Sequence, residues 1–310
     1  FNGRNAAFNP FQPNEVFVVS DIFPMFSTDG GVFFAKQKAK PDLAPARIAA
    51  FRDKINELAN LGIDHCIVVP FNAFFAQLSA QDFIQNILIN HLNMKFLMVG
   101  DDFKFGAGRT GDFDLLQKNS VLHGFQLDKL DSFELSNIRV SSSAVRQALA
   151  QGNMPWVEEL LGRPYCVSGH IVHGRKLGRE LGFRTINQRF PHWKPACSGI
   201  YAVLVHGIDK QQALVGVANM GVRPSLDPND VNGGRVLLET HILDWPSHLD
   251  LNFGYGKIVR VELLHKLHDE LRYDSLESLT EGIQRDCDDA RAFFASRHNL
   301  IRRQTTHDRI

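Results

Sequence analysis

From Ser168 to Asn187 the chain reads S-G-H-I-V-H-G-R-K-L-G-R-E-L-G-F-R-T-I-N, a stretch that opens as a strand, passes through a glycine loop and closes on residues whose faces depend on whether they are extended. The opening residues alternate as a strand requires. Gly174, Gly178 and Gly182 are then interleaved with Arg175, Lys176 and Arg179. Phe183, Thr185 and Asn187 share one face if the closing segment is extended, because side chains alternate in a strand. Glycines let backbone N–H groups approach an anion, and the cations add field, so the composition suits a polyphosphate. Thr185 and Asn187 offer two neutral oxygens, the hard ligands that Mg2+ accepts beside phosphate. On composition alone, a solvated glycine hairpin with basic decoration is an equal alternative.

The surroundings of that stretch are strand-like. From Gly162-Arg163-Pro164 to about residue 264 the sequence holds short apolar segments broken by turn residues, with no long helix. Expected strands are Tyr165–His173, Gly199–His206, Ala213–Ala218, Val236–Leu243 and Lys257–Leu264, a pattern for a small antiparallel barrel or sandwich. A last helix over Ser275–Ala295 carries Leu276, Leu279, Ile283, Cys287, Ala290 and Phe294 on one stripe. The basic tail 297–310 is expected to fray.

The first half alternates differently. Val16–Ser20, Cys66–Phe71, Phe96–Val99 and Phe125–Leu130 are expected strands. Ala44–Leu61, Gln81–Leu92, Asp112–Gly124 and Ala144–Ala150 are expected helices, with Asp29-Gly30-Gly31 read as a loop. This β-α-β alternation implies a parallel sheet with ligands beyond its C-terminal strand ends, where Gly100-Asp101-Asp102 falls. At 310 residues the chain has length for two domains.

Composition excludes several classes. Lys plus Arg equals Asp plus Glu at 34 each, so no charge imbalance points to nucleic acid or an acidic membrane. Four scattered cysteines without a C-x-x-C pair speak against a disulfide framework or zinc site and for a reducing cytoplasm. No apolar run or signal pattern suggests a membrane span or secretion. The sequence starts at Phe1 without a methionine, and an N-terminal piece is expected to be missing.

Three other groupings carry chemistry. Gly106 to Gly111 matches G-x-G-x-x-G, but Gly100–Phe105 separates it from the preceding strand, so it reads as a loop rather than a dinucleotide turn. Gly169 and Gly174 have Walker A spacing, yet Arg175-Lys176 stands where Lys-Ser/Thr is required. Ser141-Ser142-Ser143 with Arg146 is either a phosphate-binding helix N-terminus or an ordinary cap. Glu239 lies in the apolar segment Leu237–Leu243, as a general base or a paired barrel-mouth carboxylate.

The glycine stretch, Gly169-x-Ile171-Val172-His173-Gly174 followed by Leu177-Gly178-Arg179-x-Leu181-Gly182-Phe183-x-Thr185-x-Asn187, closely resembles the riboflavin kinase signature. The resemblance continues through Gly199–Val203, Gly216–Gly221 with Arg223-Pro224, Leu238-Glu239-x-His241, Leu264–Leu267 and Asp274–Glu277. In the first half, Gly100-Asp101-Asp102-Phe103-x-Phe105-Gly106, Arg109-x-Gly111-Asp112 and Val140-Ser141-Ser142-Ser143-x-x-Arg146 resemble the flavin adenylyltransferase module of bacterial bifunctional riboflavin kinase/FAD synthetases.

This resemblance implies a Rossmann-like nucleotidyltransferase domain over 1–160, a small antiparallel β-barrel kinase domain with a C-terminal helix over 161–296, and a tail over 297–310. It implies phosphorylation of riboflavin by ATP to FMN and adenylylation of FMN to FAD, with Mg2+ and small-molecule substrates; the oligomeric state is left open. By the resemblance, Gly174, Lys176, Gly178, Arg179 and Gly182 cover ATP phosphates, Thr185 and Asn187 hold Mg2+, and Glu239 is the base. Phe183, His268, Asp269 and Arg272 contact flavin. Gly100, Asp101, Asp102, Phe103, Phe105, Ser141, Ser142, Ser143 and Arg146 serve the adenylyltransferase.

The sequence departs from the family in four places. Arg184 and Ile186 replace Pro and Ala in G-F-P-T-A-N, and His268 stands where an arginine is usual. No H-x-G-H element occurs, so either that segment precedes Phe1 or the first module has lost adenylyl transfer. The alternatives are a flavokinase with an inactive first module, or a non-enzymatic flavin- or nucleotide-binding protein.

Overall fold

The computed structural model describes residues 16–19, 31–35, 45–69, 72–173, 181–189, 195–222, 236–249 and 254–307. The chain divides into two compact units, 1–44 with 55–140 and 45–54 with 141–310.

The first unit is built on β1 (Val16–Val19), β2 (Gly31–Ala35), β3 (His65–Val68), β4 (Phe96–Gly100) and β5 (Gln126–Leu130). All four pairings are parallel, in the order β3-β2-β1-β4-β5. The strand Gly31–Ala35 was not among the expected strands and begins on the last residue of the expected Asp29-Gly30-Gly31 loop. Between β3 and β4 run the short helices α2 (Ala73–Ala76) and α3 (Ala80–Asp82), the latter continuing as a π-helix over Phe83–His91. Phe83, Ile84 and Leu88 of that helix are buried with Leu97 and Val99 of β4. The helix α1 (Phe51–Asn60) starts later than its apolar spacing predicted. Residues 45–50 are instead non-helical, and Arg47 there forms a β-bridge to Pro195. Helix α4 (Phe113–His123) starts on Asp112, whose carboxylate accepts from Leu115 N at 3.1 Å, and ends on Gly124 in the left-handed region. A two-stranded ribbon follows, β6 (Glu134–Leu135) and β7 (Ile138–Arg139).

In the second unit, α5 (Ser142–Gln151) and α6 (Met154–Leu161) precede the strands β8 (Tyr165–Val172), β9 (Thr185–Arg189), β10 (Gly199–His206), β11 (Leu214–Val222), β12 (Val236–Ile242) and β13 (Ile258–His268). These close into a barrel in the order β10-β11-β12-β9-β8-β13, every neighbouring pair antiparallel. Alternation sorts the two faces. Val167 and Ile171, Ile186 and Gln188, Tyr201 and Val203, Ala218 and Met220, Leu238 and Thr240, and Val261 and Leu263 are buried and face inward. The buried Gln188 amide donates to Gly169 O at 3.3 Å and Val259 O at 2.9 Å, satisfying a polar group inside the barrel.

The helix α7 (Leu276–His307) covers part of the outer face. Ile283, Cys287, Ala290 and Phe294 of its apolar stripe pack against Ile200, Ala202 and Val217, as their spacing predicted. Leu276 is 55% exposed and stays outside that contact. The helix continues to His307, through much of the stretch expected to fray. No helix among the described residues is long and apolar enough to cross a membrane.

Candidate functional site

The pairing of β9, β11 and β12 sets one polar row across three strands. Asn187 lies opposite Glu239, and Glu239 lies opposite Asn219. Two residues along, Thr185 lies opposite His241, and His241 opposite Val217. Opposed residues share a face with Cβ atoms about 5 Å apart. That face is the outer one, since Ile186, Gln188, Leu238 and Thr240 at intervening positions fill the barrel. The row opens into a cleft of about 290 Å³, whose far wall is Ile283 and Asp286 of α7 with the Glu270–Tyr273 segment.

Two atoms in the row stand out. Asn187 is buried, and neither its Oδ1 nor that of Asn219 has a hydrogen-bond partner. A buried polar atom left unmatched costs about 1–3 kcal/mol, so two flanking one carboxylate mark a place built to receive something. Neutral oxygens beside a carboxylate fit a hard cation that keeps water and phosphate oxygens in its shell. Among the residues here, Thr185 and Asn187 would hold Mg2+, and Asn219 adds a third oxygen on the far side of Glu239. His241 supports the row: its Nδ1 donates to Arg184 O at 2.9 Å, and its ring meets Phe183 edge-on at 5.6 Å. Gly182, just before, takes a φ of +85°, which favours glycine.

The structure brings Phe183, Thr185, Asn187, Glu239 and His268 into the lining of this cleft. Asp269 and Arg272 are exposed and do not line it. Asp269 is bound by Lys266 Nζ at 2.5 Å, and that ammonium holds its carboxyl below the usual range. Gly174, Lys176, Gly178 and Arg179 lie outside the described residues. Asn219, Glu270, Tyr273 and Asp286 also line the cleft and were not singled out from sequence. Only Asn219 carried a local signal, an amide inside the otherwise apolar run Val215–Met220.

In the first unit the strand order reverses between β1 and β4, and Gly100-Asp101-Asp102 follows the C-terminal end of β4 at that reversal. This is where open parallel sheets bind ligands. Asp101 accepts from Ser132 Oγ at 2.8 Å, and Arg139 reaches Asp101 at 3.3 Å and Asp102 at 3.1 Å. The Ser132 bond, then the Arg139 charge, hold the Asp101 carboxyl below its ordinary value. Phe103 stacks on Phe105 at 5.4 Å, and Phe105 is buried in the core. The Gly106–Gly111 loop forms a 3₁₀ turn at Ala107–Arg109, with α4 starting only at Phe113, as the sequence reading of a loop required.

In the second unit, Ser141 caps α5 by accepting from Ala144 N at 3.2 Å. Ser142 and Ser143 are the first two helical residues. Arg146 folds back to donate to Ser142 Oγ at 3.2 Å and to Ala46 O at 2.7 Å, so its guanidinium sits beside that helix end. Burial and the neighbouring Arg47 charge lower its pKa.

Comparison with known proteins agrees with both halves. A riboflavin kinase family model matches residues 161–294, and an FAD synthetase family model matches residues 25–144. The bifunctional riboflavin kinase/FMN adenylyltransferase of Escherichia coli K12 is 45% identical over 82% of this chain and 77% of its own length. The chain belongs to this bifunctional family. Family members from Haemophilus influenzae and Pseudomonas fluorescens are 42% and 40% identical, each over 82% of this chain and over 79% and 78% of their own lengths. The fold is shared more widely. A solved structure described as a macrolide-efflux protein from Streptococcus pneumoniae superposes with a TM-score of 0.68 over 91% of this chain and 96% of that one, at 22% identity. In this family's terms, the barrel, α7 as far as residue 294 and the cleft between them fall within the kinase match, and the switch point after β4 falls within the FAD synthetase match.

Proposed function

We propose that this chain transfers the γ-phosphoryl group of ATP to riboflavin, giving FMN and ADP, and then AMP from ATP to FMN, giving FAD and pyrophosphate. The observation that carries the kinase reading is the Asn187–Glu239–Asn219 row at the floor of a cleft whose far wall combines apolar Leu271, Leu279 and Ile283 with Glu270 and Asp286. Glu239 takes the proton from the ribityl 5′-hydroxyl. That oxygen forms a bond to the γ-phosphorus as the bond to the ADP oxygen breaks in line. Asn187 and Thr185 orient the phosphates through their oxygens, and α7 with Glu270–Tyr273 excludes water from the reacting end. Mg2+ would neutralise charge on the transferring phosphoryl group. The glycine-rich residues 174–182 complete the phosphate cover in this reading.

For the second reaction, the Ser141–Arg146 helix start supplies anion-compatible groups, and the Gly100–Asp102 turn supplies two carboxylates at the strand-order reversal, each from one of the two family motifs. We assign adenylyl transfer to 1–160 and the kinase to 161–296, with 297–310 as an appended tail. Four free cysteines and a balanced charge suit a cytoplasmic enzyme acting on small molecules rather than nucleic acid.

The test is to incubate the chain with riboflavin, ATP and Mg2+ and to separate FMN and FAD by chromatography. Formation of both is expected. No FMN would overturn the kinase reading, and FMN without FAD would overturn the second.

A further inference from the structure

The segment Asp269–Tyr273 runs from the end of β13 to the start of α7 and forms a strap along the cleft. It fits tightly at two glycines. The Glu270 carboxylate lies over Gly221 of β11, and the Tyr273 hydroxyl lies over Gly282 of α7, each so close that a methyl group on the glycine would collide. At its base the strap is tied to Lys266 through Asp269 and to α7 through His268. His268 Nδ1 lies 2.6 Å from Asp269 O, and His268 Nε2 lies 2.7 Å from Asp286 Oδ1 on α7.

The chemistry of those two contacts is restrictive. A backbone carbonyl only accepts, and an ionised carboxylate only accepts. Both ring nitrogens must then donate, but neutral imidazole has one N–H. The His268–Asp286 pair is therefore satisfied only while it keeps one additional proton. We propose that His268, as its imidazolium, is a positioning residue that fastens the strap to α7 and thereby sets riboflavin affinity, which falls when that proton is lost. The proposal rests on the kinase reading of the cleft.

The charges around His268 favour the cation. From α7 it faces Asp286 and the field of Asp289. From its own strand comes Lys266, already paired with Asp269. The strap adds Asp269 and Glu270, and Glu239 and His241 of β12 line the same cleft. Burial pulls the His268 pKa down. The bonds to Asp286 and Asp269 O, with the Asp286 and Asp289 charges, outweigh it and leave the value above the ordinary 6.5. The sign follows directly. The clamp is complete below about 6.5, the unfolded value, and is lost as pH rises through the raised folded value.

The full chain tests this through riboflavin binding, followed by quenching of flavin fluorescence across pH 6 to 9 (about neutrality either way), with hydrogen exchange of Asp269–Tyr273 in parallel. In the wild type, Kd should weaken about tenfold across the transition, the worth of one charge-assisted hydrogen bond. His268→Arg keeps a charge at every pH and should flatten the profile. His268→Gln cannot donate twice in this geometry and should bind weakly throughout. A flat wild-type profile, or the same profile in His268→Arg, overturns the proposal. Failure of the kinase reading looks different: riboflavin then binds at no pH. Strap exchange alone then decides the clamp, which is overturned if wild type and His268→Arg exchange alike at every pH.

Discussion

Asn187 and Glu239 are register partners across β9 and β12, and the Asn187 Oδ1 is buried beside that carboxylate without a hydrogen-bond partner. A carboxylate and an unmatched amide oxygen thus stand side by side on the barrel wall. Backbone pairing holds them there, which suits a reaction whose catalysis is mostly positioning.

Glu239→Gln keeps the shape of the side chain and removes its capacity to take a proton. In single-turnover FMN formation the rate should fall by about 10²–10⁴-fold. Equilibrium dialysis should still show ATP and riboflavin bound. An unchanged rate would reject Glu239 as the base.

Asn187 and Ile186 are neighbours with opposite duties. Asn187→Ala should raise the Mg2+ concentration for half-maximal FMN formation by about tenfold or more, with a modest change in melting temperature. Ile186, 9% exposed inside the barrel, should do the reverse. Ile186→Ala should cost about 2–5 kcal/mol in denaturant unfolding and leave the Mg2+ dependence as it was. Exchanged phenotypes would mean that the two faces are misassigned.

Gly282→Ala sets two effects against each other. Alanine favours a helix interior by about 1 kcal/mol over glycine, but this methyl would strike the Tyr273 ring. Tyr273 lines the cleft, so the ring must swing and the strap must shift. Thermal unfolding should change little while the KM for riboflavin rises. A stabilised protein with unaltered KM would show that Tyr273 does not shape the flavin end.

Asp53 is 3% exposed, and its Oδ2 accepts from Ser168 N at 3.2 Å on β8. Burial raises its pKa above 3.8, and the Ser168 bonds and the Arg163 charge offset that only in part. A carboxyl with a raised folded value binds its proton more tightly when folded, so its ionisation lowers stability as pH rises through that value. Asp53→Asn retains an acceptor without the charge. Its melting temperature should exceed that of wild type at pH about 7, and the gain should shrink as pH falls toward the unfolded value. An equal or lower melting temperature at neutral pH would contradict this.

Much of the barrel could be read directly because its strands are apolar and bounded by turns. Gly199–His206 was expected over the bounds it has. β9 escaped the strand list because Asn187 and Gln188, two buried amides, interrupt the apolar alternation that marks a strand. β2 was hidden behind Asp29-Gly30-Gly31, a turn signal whose last glycine is the first residue of the strand. The glycine stretch and Glu239 were each legible as chemistry from residue type with a bland alternative beside it, and the family's specific spacing tipped that balance. The His268–Asp286 clamp joins a strand end to a helix across 18 residues, and no local pattern announces it. Asn219 does interrupt an apolar run, but what places it beside Glu239 is strand register rather than its neighbours in sequence.

The position of α7 also orders events during synthesis. All six barrel strands leave the ribosome before Leu276–His307, the helix that walls the cleft. At about 5–20 residues per second, that helix follows the last strand by a few seconds. Until it arrives, a nascent barrel displays Glu239 and Asn187 on an open surface, with no enclosure for a flavin. Under the kinase reading, enclosure of a flavin is thereby coupled to completion of the kinase unit.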